Sequence, residues 1–321
     1  MNCRRLIYVF GCLNLLVAYT FIEVSGENNA PLGTCNFPAI YNFGDSNSDT
    51  GAAFAAFTGM QHPYGISFFG NISGRASDGR LIVDFLTEEL KLPYLSAYLN
   101  SVGSNYSHGA NFAVGGSSIC PGGYNQFHLG LQVAQFLHFK SHTNILFNQL
   151  SDNETEPPFK SSLPRPEDFS KALYTFDIGQ NDLAFGLQHN SMEKVIKLSP
   201  EILSQFFKAV QILYNEGARV FWIHNTGPSG CLPISYIYNV PNKENLDANG
   251  CVKPQNELAH EFNRQLKEQV VQMRTKLPLA RIKYVDVYTA KYELITNARN
   301  HGDLQVLEFC CGSYYGYNIV S

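Results

Sequence analysis

Residues 43–51 read FGDSNSDTG and directly follow a short apolar run, Pro38–Phe43. The apolar run predicts a buried β-strand. Gly44 permits a sharp turn after that strand, and the small polar residues beyond it leave the Ser46 hydroxyl accessible. Serine nucleophiles are often held on a turn of this kind, at the end of a strand. Ser46 is therefore the first candidate catalytic residue.

Apolar, β-rich runs alternate with helical stretches along the chain. This alternation predicts a mostly parallel sheet that is covered by helices on both faces. The predicted strands are Pro38–Phe43, Gly109–Val114, Ala172–Ile178, Arg219–His224 and Arg281–Val287. The predicted helices are Asp78–Lys91, Leu129–Phe147, Pro200–Glu216 and Pro254–Lys276. Ligands of such sheets bind beyond the carboxyl ends of the strands.

Two further segments lie at predicted strand ends. Residues 111–117 (NFAVGGS) end the second strand, and residues 177–182 (DIGQND) end the third. Paired glycines let a backbone N–H approach a ligand closely, and Asn181 offers a carboxamide beside a glycine turn. Together with Ser46 these segments predict an acyl-transfer site. Its oxyanion would be held by the Ser46 N–H, the Gly116 N–H and the Asn181 side chain.

The three ordered segments resemble the plant GDSL esterase/lipase family, within the SGNH hydrolase superfamily. Further runs that match the family are His62–Gly65, Ser73–Arg80 and Gly227–Pro233. The resemblance covers about residues 36 to 318. It implies a flavodoxin-like α/β fold, a three-layer α/β/α sandwich with a five-stranded parallel sheet.

The same resemblance implies a site and an activity. It makes Ser46 the nucleophile and Gly116 and Asn181 the oxyanion donors, with the choice between Gly115 and Gly116 left open. Family members mostly hydrolyse acyl or acetyl esters, and some relatives act on sugars. The implied partner is a small-molecule ester, either an acyl lipid or an acetylated sugar or glycoside. Neither a cofactor nor a metal is expected.

The family's last block, an Asp-x-x-His that supplies the base and its orienting carboxylate, has no match here. No aspartate in the sequence is followed three residues later by histidine. The resemblance therefore predicts a chain that is incomplete at its C-terminus. A serine without its histidine keeps a high pKa and is a weak nucleophile. His301 and His224 are the candidate substitutes, but we expect an exposed turn residue and a structural residue, respectively.

The N-terminus has the features of a signal peptide, expected over residues 1–26. Arg4 and Arg5 precede an apolar run from Leu6 to Ile22, and small residues follow. A membrane anchor is the alternative interpretation, but the run is short for a spanning helix and contains polar residues. Residues 27–321 are then expected to form a single GDSL/SGNH hydrolase domain. Its expected location is extracellular or in the cell wall, without stable membrane insertion after cleavage.

Other sequence features are consistent with secretion. N-x-Ser/Thr sequons at Asn71, Asn105 and Asn153 predict a glycoprotein. In an oxidising compartment the cysteines are expected to form disulfides. Their connectivity stays open, and Cys231 with Cys251 is the first pair we expect. The cysteines show no paired C-x-x-C pattern for zinc.

Three functions remain in competition. The first is a secreted serine esterase, and the second is a catalytically inactive binding or storage protein that keeps the groove. The third, a flavodoxin-like nucleotide binder, lacks support because no glycine-rich phosphate loop follows the first strand. A formal net charge of −4 gives no reason to expect nucleic acid as a partner.

Overall fold

In a computed structural model of the chain, a parallel sheet lies between two layers of helices. The structure describes residues 35–57, 63–150, 158–238, 243–297, 313–314 and 317–318. The predicted signal peptide, the Asn153 sequon, His62 and His301 lie outside these ranges.

Five parallel strands form the central sheet, and all five predicted strands are confirmed. The sheet has the order β2-β1-β3-β4-β5. The strands are β1 (Ile40–Gly44), β2 (Gly109–Asn111), β3 (Leu173–Asp177), β4 (Val220–His224) and β5 (Arg281–Val285). A separate antiparallel pair joins β6 (Ser313–Tyr314) to β7 (Tyr317–Asn318). The observed β2 is shorter than predicted and ends at Asn111, where the chain turns toward the site.

The helices that the structure describes fill the connections between the strands. They are α1 (Ala52–Ala56), α2 (Ile66–Phe69), α3 (Ile82–Glu89), α4 (Leu129–Leu150), α5 (Gln180–His189), α6 (Met192–Asn215), α7 (Pro233–Tyr238), α8 (Lys253–Lys276) and α9 (Val287–Thr296). Helices α3, α4, α6 and α8 correspond to the four predicted ones. None of the helices described is both long and apolar enough to span a membrane.

The predicted start of the third long helix at Pro200 is wrong. Helix α6 begins at Met192, and Pro200 lies inside it. The side chain of Ser191 caps the helix by accepting a hydrogen bond from the Lys194 N–H. Proline suits a first turn but weakens a helix interior. Here the buried face that runs from Val195 to Leu213 holds the helix together across the proline.

The two faces of the sheet pack against different helices. Tyr41 and Phe43 point to one face, where the larger core includes buried residues of α4, α6 and α8. Ile40 points to the other face, where it packs with Trp222 and residues of α3. Because side chains alternate along a strand, β1 contributes to both cores. This arrangement is the expected three-layer α/β/α sandwich.

A disulfide ties the loop after β4 to the start of α8. Cys231 and Cys251 are bonded, which confirms the first expected pair. Cys35 is also disulfide-bonded, and Cys120 carries a free thiol.

Candidate active site

The three predicted site segments meet at the carboxyl edge of the sheet. Ser46 follows β1, Gly116 follows β2, and Asn181 lies in the first turn of α5 after β3. In this strand order, β2 lies on one side of β1 and the later strands lie on the other, so the order of strand addition reverses between β1 and β3, which is where open α/β sheets bind ligands. A Cβ built on Gly115 would lie 3.8 Å from Ser46 Cβ, and Asn181 contacts Ser117. The fold therefore brings the three segments together.

The turn that holds Ser46 is tight, and it leaves no space for a side chain at Gly44. A Cβ built there would lie 2.6 Å from the Asp177 carbonyl oxygen. The Asp45 N–H donates to that same oxygen at 3.1 Å, and the Ser48 N–H donates to the Asp45 carbonyl at 3.1 Å. Ser46 is left at the tip of the turn.

The possible oxyanion donors keep N–H groups that are available to a ligand. Ser46, Gly116 and Asn181 are all half-buried, so a ligand can reach them. Across the described residues, neither the Ser46 hydroxyl, the Ser46 N–H nor the Gly116 N–H makes a hydrogen bond. Backbone N–H groups in folded proteins are nearly always paired, so two open ones around one serine are suited to a ligand oxygen.

Asp49 fixes which glycine offers its N–H. One carboxylate oxygen accepts from the Gly51 and Ala52 N–H groups, and the other accepts from Ala53 at 3.0 Å and from Gly115 at 2.7 Å. Burial raises the pKa of Asp49, although these four N–H groups oppose the rise. Because the Gly115 N–H is occupied by Asp49, the geometry favours Gly116 over Gly115 as the donor.

Gly116 has a backbone conformation that favours glycine, with φ of +81°. A Cβ built there would lie 2.9 Å from Asn125 Nδ2, which itself donates to the Gly115 carbonyl at 2.7 Å. The turn thus needs glycine for two reasons, its φ angle and the close approach of Asn125.

Asn181 and Asp182 hold the other side of this turn. Asn181 Nδ2 donates to the Ser117 carbonyl at 2.8 Å, which orients the amide and leaves its second N–H available. The Asp182 carboxylate accepts from the Ile119 N–H at 2.7 Å and the Cys120 N–H at 3.0 Å. Burial raises the pKa of Asp182 to about 6, against the opposing effect of these N–H groups.

A chain of buried polar side chains supports the turn from below. Thr175 Oγ1 donates to Asn42 Oδ1 at 2.7 Å, and Asn42 Nδ2 donates to Asn111 Oδ1 at 2.7 Å. Asn111 Nδ2 in turn donates to the Ser48 carbonyl at 2.6 Å. None of these residues was predicted from the sequence as a support of the turn. The sequence did contain a signal for them, because an asparagine within an otherwise apolar strand needs a hydrogen-bond partner when it is buried.

Gln132, in the first turn of α4, makes a pair of hydrogen bonds with Gly44. Its Oε1 accepts from the Gly44 N–H at 2.9 Å, and its Nε2 donates to the Gly44 carbonyl at 2.8 Å and to the Phe127 carbonyl at 3.0 Å. Helix α4 is therefore bonded directly to the last residue of β1.

A buried cluster of charged groups lies behind the serine turn. His224 Nδ1 lies 3.4 Å from Asp177 Oδ2, and Asn47 Nδ2 donates to Asp177 Oδ1 at 3.4 Å. Burial works to raise the pKa of Asp177, but His224, Lys291 and Asn47 outweigh it and hold this pKa below its usual value. Burial and the neighbouring Asp177 charge raise the pKa of Asp45 well above its usual value. The expected structural role of His224 agrees with this buried pairing.

Two further sequence predictions concern glycosylation sites and metal binding. Asn71 and Asn105 are exposed on the surface. Within the described ranges, the histidines, cysteines and carboxylates form no group of three or more that could hold a metal ion.

Comparison with known proteins gives a consistent result. The family model for GDSL-like lipases and acylhydrolases matches residues 40–317. A GDSL esterase/lipase of Arabidopsis thaliana is 51% identical over 293 residues, which cover 89% of this chain and 74% of the relative. An alpha-L-fucosidase of the same plant is 49% identical, covering 88% of this chain and 77% of the relative. An esterase of Hevea brasiliensis is 47% identical, covering 89% of this chain and 73% of the relative.

The match thus includes β1 to β5 and the three segments that meet at the sheet edge. The chain belongs to the GDSL-like lipase/acylhydrolase family of ester hydrolases.

Proposed function

We propose that this protein is a secreted serine esterase in which the Ser46 hydroxyl attacks the carbonyl carbon of an acyl or acetyl ester. Its substrate is a small-molecule ester, an acyl lipid or an acetylated sugar or glycoside. One observation carries the proposal: Ser46 and Gly116 present unpaired N–H groups beside a half-buried serine hydroxyl, with the Asn181 amide already oriented nearby.

These groups act on charge that develops during the reaction. Attack by Ser46 Oγ turns the carbonyl oxygen into an oxyanion, which accepts from the Ser46 and Gly116 N–H groups and from Asn181 Nδ2. Each such donor is worth about 3 to 4 kcal/mol in the transition state. The alcohol then leaves with a proton, and water hydrolyses the acyl-enzyme to release the acid and restore Ser46.

The proton of Ser46 must pass to a base. The family resemblance assigns this role to an Asp-x-x-His block, which these 321 residues do not contain. In the part of the chain that the structure describes, no histidine is hydrogen-bonded to Ser46 Oγ. The alternative function is therefore a catalytically inactive binding or storage homologue.

Glycoside hydrolysis, which the name of one relative raises, receives less support from the site. Glycosidases generally need two carboxyl groups that flank the scissile bond. The carboxyl groups closest to the site belong to Asp45, Asp49, Asp177 and Asp182, and each residue is at most 8% exposed. Three of them are occupied by several hydrogen bonds within the fold, so ester chemistry at Ser46 is favoured.

Secretion is the second part of the proposal. Residues 1–26 act as a signal peptide, residues 27–321 form one hydrolase domain, and the protein works outside the cell or in the cell wall. Glycosylation at Asn71, Asn105 and Asn153 accompanies this route. The exposure of Asn71 and Asn105 supports it, because oligosaccharyl transfer needs an accessible sequon.

Covalent labelling of Ser46 tests the catalytic part. The purified chain is treated with a fluorescent fluorophosphonate, and the modified peptide is identified by mass spectrometry. Hydrolysis of p-nitrophenyl acetate is measured in parallel. We expect label on Ser46 and its loss in Ser46→Ala, whereas Ser204→Ala, which changes an exposed serine of α6, keeps it. An unlabelled Ser46, with equal hydrolysis by the wild type and Ser46→Ala, supports the inactive binding homologue instead.

A further inference from the structure

A cavity of about 250 Å³ opens at the carboxyl edge of the sheet, between the loop after β4 and helix α9. Its walls are mainly carbon, contributed by Pro228, Leu232, Leu294 and Ile295. Gln180 lies at its border. A cavity with so few polar groups disfavours a sugar, whose hydroxyl groups would lose their hydrogen bonds to water without replacement.

The cavity adjoins the proposed active site through two residues. Gln180 immediately precedes Asn181 in the first turn of α5. On the other side, Lys291 lines the cavity, and its positive charge works to lower the pKa of Asp45 and of Asp177, the buried carboxyls behind the Ser46 turn. The cavity thus opens at the same carboxyl edge of the sheet as Ser46, and Gln180 links its border to Asn181.

Lys291 forms one wall of the cavity. A Cβ built on Gly227 would lie 3.2 Å from Lys291 Cδ and 3.7 Å from Lys291 Nζ, so both the methylene stem and the ammonium group lie against the glycine backbone. Long charged side chains commonly cover apolar surface in this way. Apart from the Lys291 ammonium group and the Gln180 side chain, the residues that line the cavity are apolar or glycine.

We propose that this cavity binds the acyl chain of the ester and selects medium-length aliphatic acyl groups over acetyl. This inference rests on the proposed function of Ser46. Size supports it, because an apolar cavity of about 150 Å³ holds benzene, with its six carbon atoms. By that scale this cavity of about 250 Å³ accommodates a chain of roughly ten carbon atoms.

The test uses p-nitrophenyl phosphonates with ethyl, butyl, octyl and dodecyl chains. Each reacts when Ser46 Oγ attacks phosphorus and p-nitrophenolate leaves, with the serine proton passing to the solvent. The second-order rate constant for labelling Ser46 should rise about fourfold for each added methylene through the octyl compound, and by less than that per methylene from the octyl to the dodecyl compound. Labelling is measured by intact-protein mass spectrometry.

Two substitutions fill part of the cavity with a larger side chain. Leu294→Trp and Ile295→Phe should remove the gain in labelling rate beyond the butyl compound, in proteins shown by circular dichroism to be folded. Leu294 is 49% exposed, so a larger side chain there is compatible with folding. Leu279→Trp is the matched control, since Leu279 is 67% exposed and precedes β5 at the opposite edge of the sheet. It should keep the wild-type profile.

The outcomes separate the two proposals. Failure of every phosphonate to label Ser46 overturns the proposed function and this inference with it. Labelling of Ser46 that does not depend on chain length overturns the acyl cavity alone. The same holds if both cavity variants keep the profile of Leu279→Trp.

Discussion

Asp49→Asn is expected to weaken the fold and the site together, because one carboxylate serves both. In either orientation an asparagine amide can accept from only one of the two N–H pairs that Asp49 now satisfies. Its nitrogen then faces either Ala53 and Gly115 or Gly51 and Ala52. Hydrogen bonds to a charged acceptor contribute about 1.5 to 3 kcal/mol each, so two lost bonds cost about 3 to 6 kcal/mol.

One effect reduces this cost. Burial raises the pKa of Asp49, which means that its ionised form is disfavoured and that a neutral amide avoids part of this penalty. We therefore expect the lower end, a loss of about 3 kcal/mol in the free energy of unfolding. For a domain of this size that lowers the melting temperature by about 6 to 12 °C. Displacement of the Gly115–Gly116 turn should also slow phosphonate labelling of Ser46, by up to about 100-fold.

Circular dichroism during heating measures the first effect, and labelling kinetics at a temperature where both proteins are folded measure the second. The matched control is Asp78→Asn, which changes an exposed aspartate. If Asp49→Asn melts at the same temperature as the control and its Ser46 is labelled at the same rate, the hydrogen bonds of Asp49 contribute nothing to stability or to the site, and the reasoning is refuted.

Two further predictions concern the α5 side of the site. Asn181→Ala should lower the rate of Ser46 phosphonylation about 100- to 1000-fold by removing one oxyanion donor; an unchanged rate in a folded variant would remove Asn181 from the oxyanion hole. The pKa of Asp182 is raised from 3.8 to about 6, so the folded state binds the extra proton and stability falls as pH rises through this window, by about 3 kcal/mol. Urea unfolding between about pH 4 and pH 7 should show a steeper decline in the wild type than in Asp182→Asn, which keeps the raised pKa values of Asp45 and Asp49, and parallel curves for the two proteins would contradict it.

The sheet could be predicted from the sequence because each strand is encoded locally. Runs such as Ala172–Ile178 are apolar and bounded by turn residues, and β3 lies within that run. Helix α5 was not predicted, since its sequence QNDLAFGLQH mixes polar residues and a glycine without a clear apolar face. The start of α6 was misplaced because proline is a start signal only where the preceding residues cannot continue the helix.

The residues of the candidate site were likewise predicted only in part. Ser46, Gly116 and Asn181 were proposed from short motifs at strand ends, and the structure places all three at one edge of the sheet. Asp49 and Gln132 were not proposed, because their roles depend on contacts with distant parts of the chain. Asp49 meets Gly115 across 66 positions, and Gln132 meets Gly44 across 88. No local pattern carries such a contact, so only the folded arrangement reveals it.

The two hydrogen bonds between Gln132 and Gly44 affect how the serine turn unfolds locally. Gln132 belongs to the first turn of α4, and Gly44 is the last residue of β1, directly before the serine turn. Local opening of that helical turn would leave the Gly44 N–H without its partner inside the protein, while the Gly44 carbonyl would keep only the Val114 N–H. The helix and the serine turn should therefore open as one cooperative unit, and the Gly44 amide hydrogen should exchange with solvent only in rare, large-scale openings.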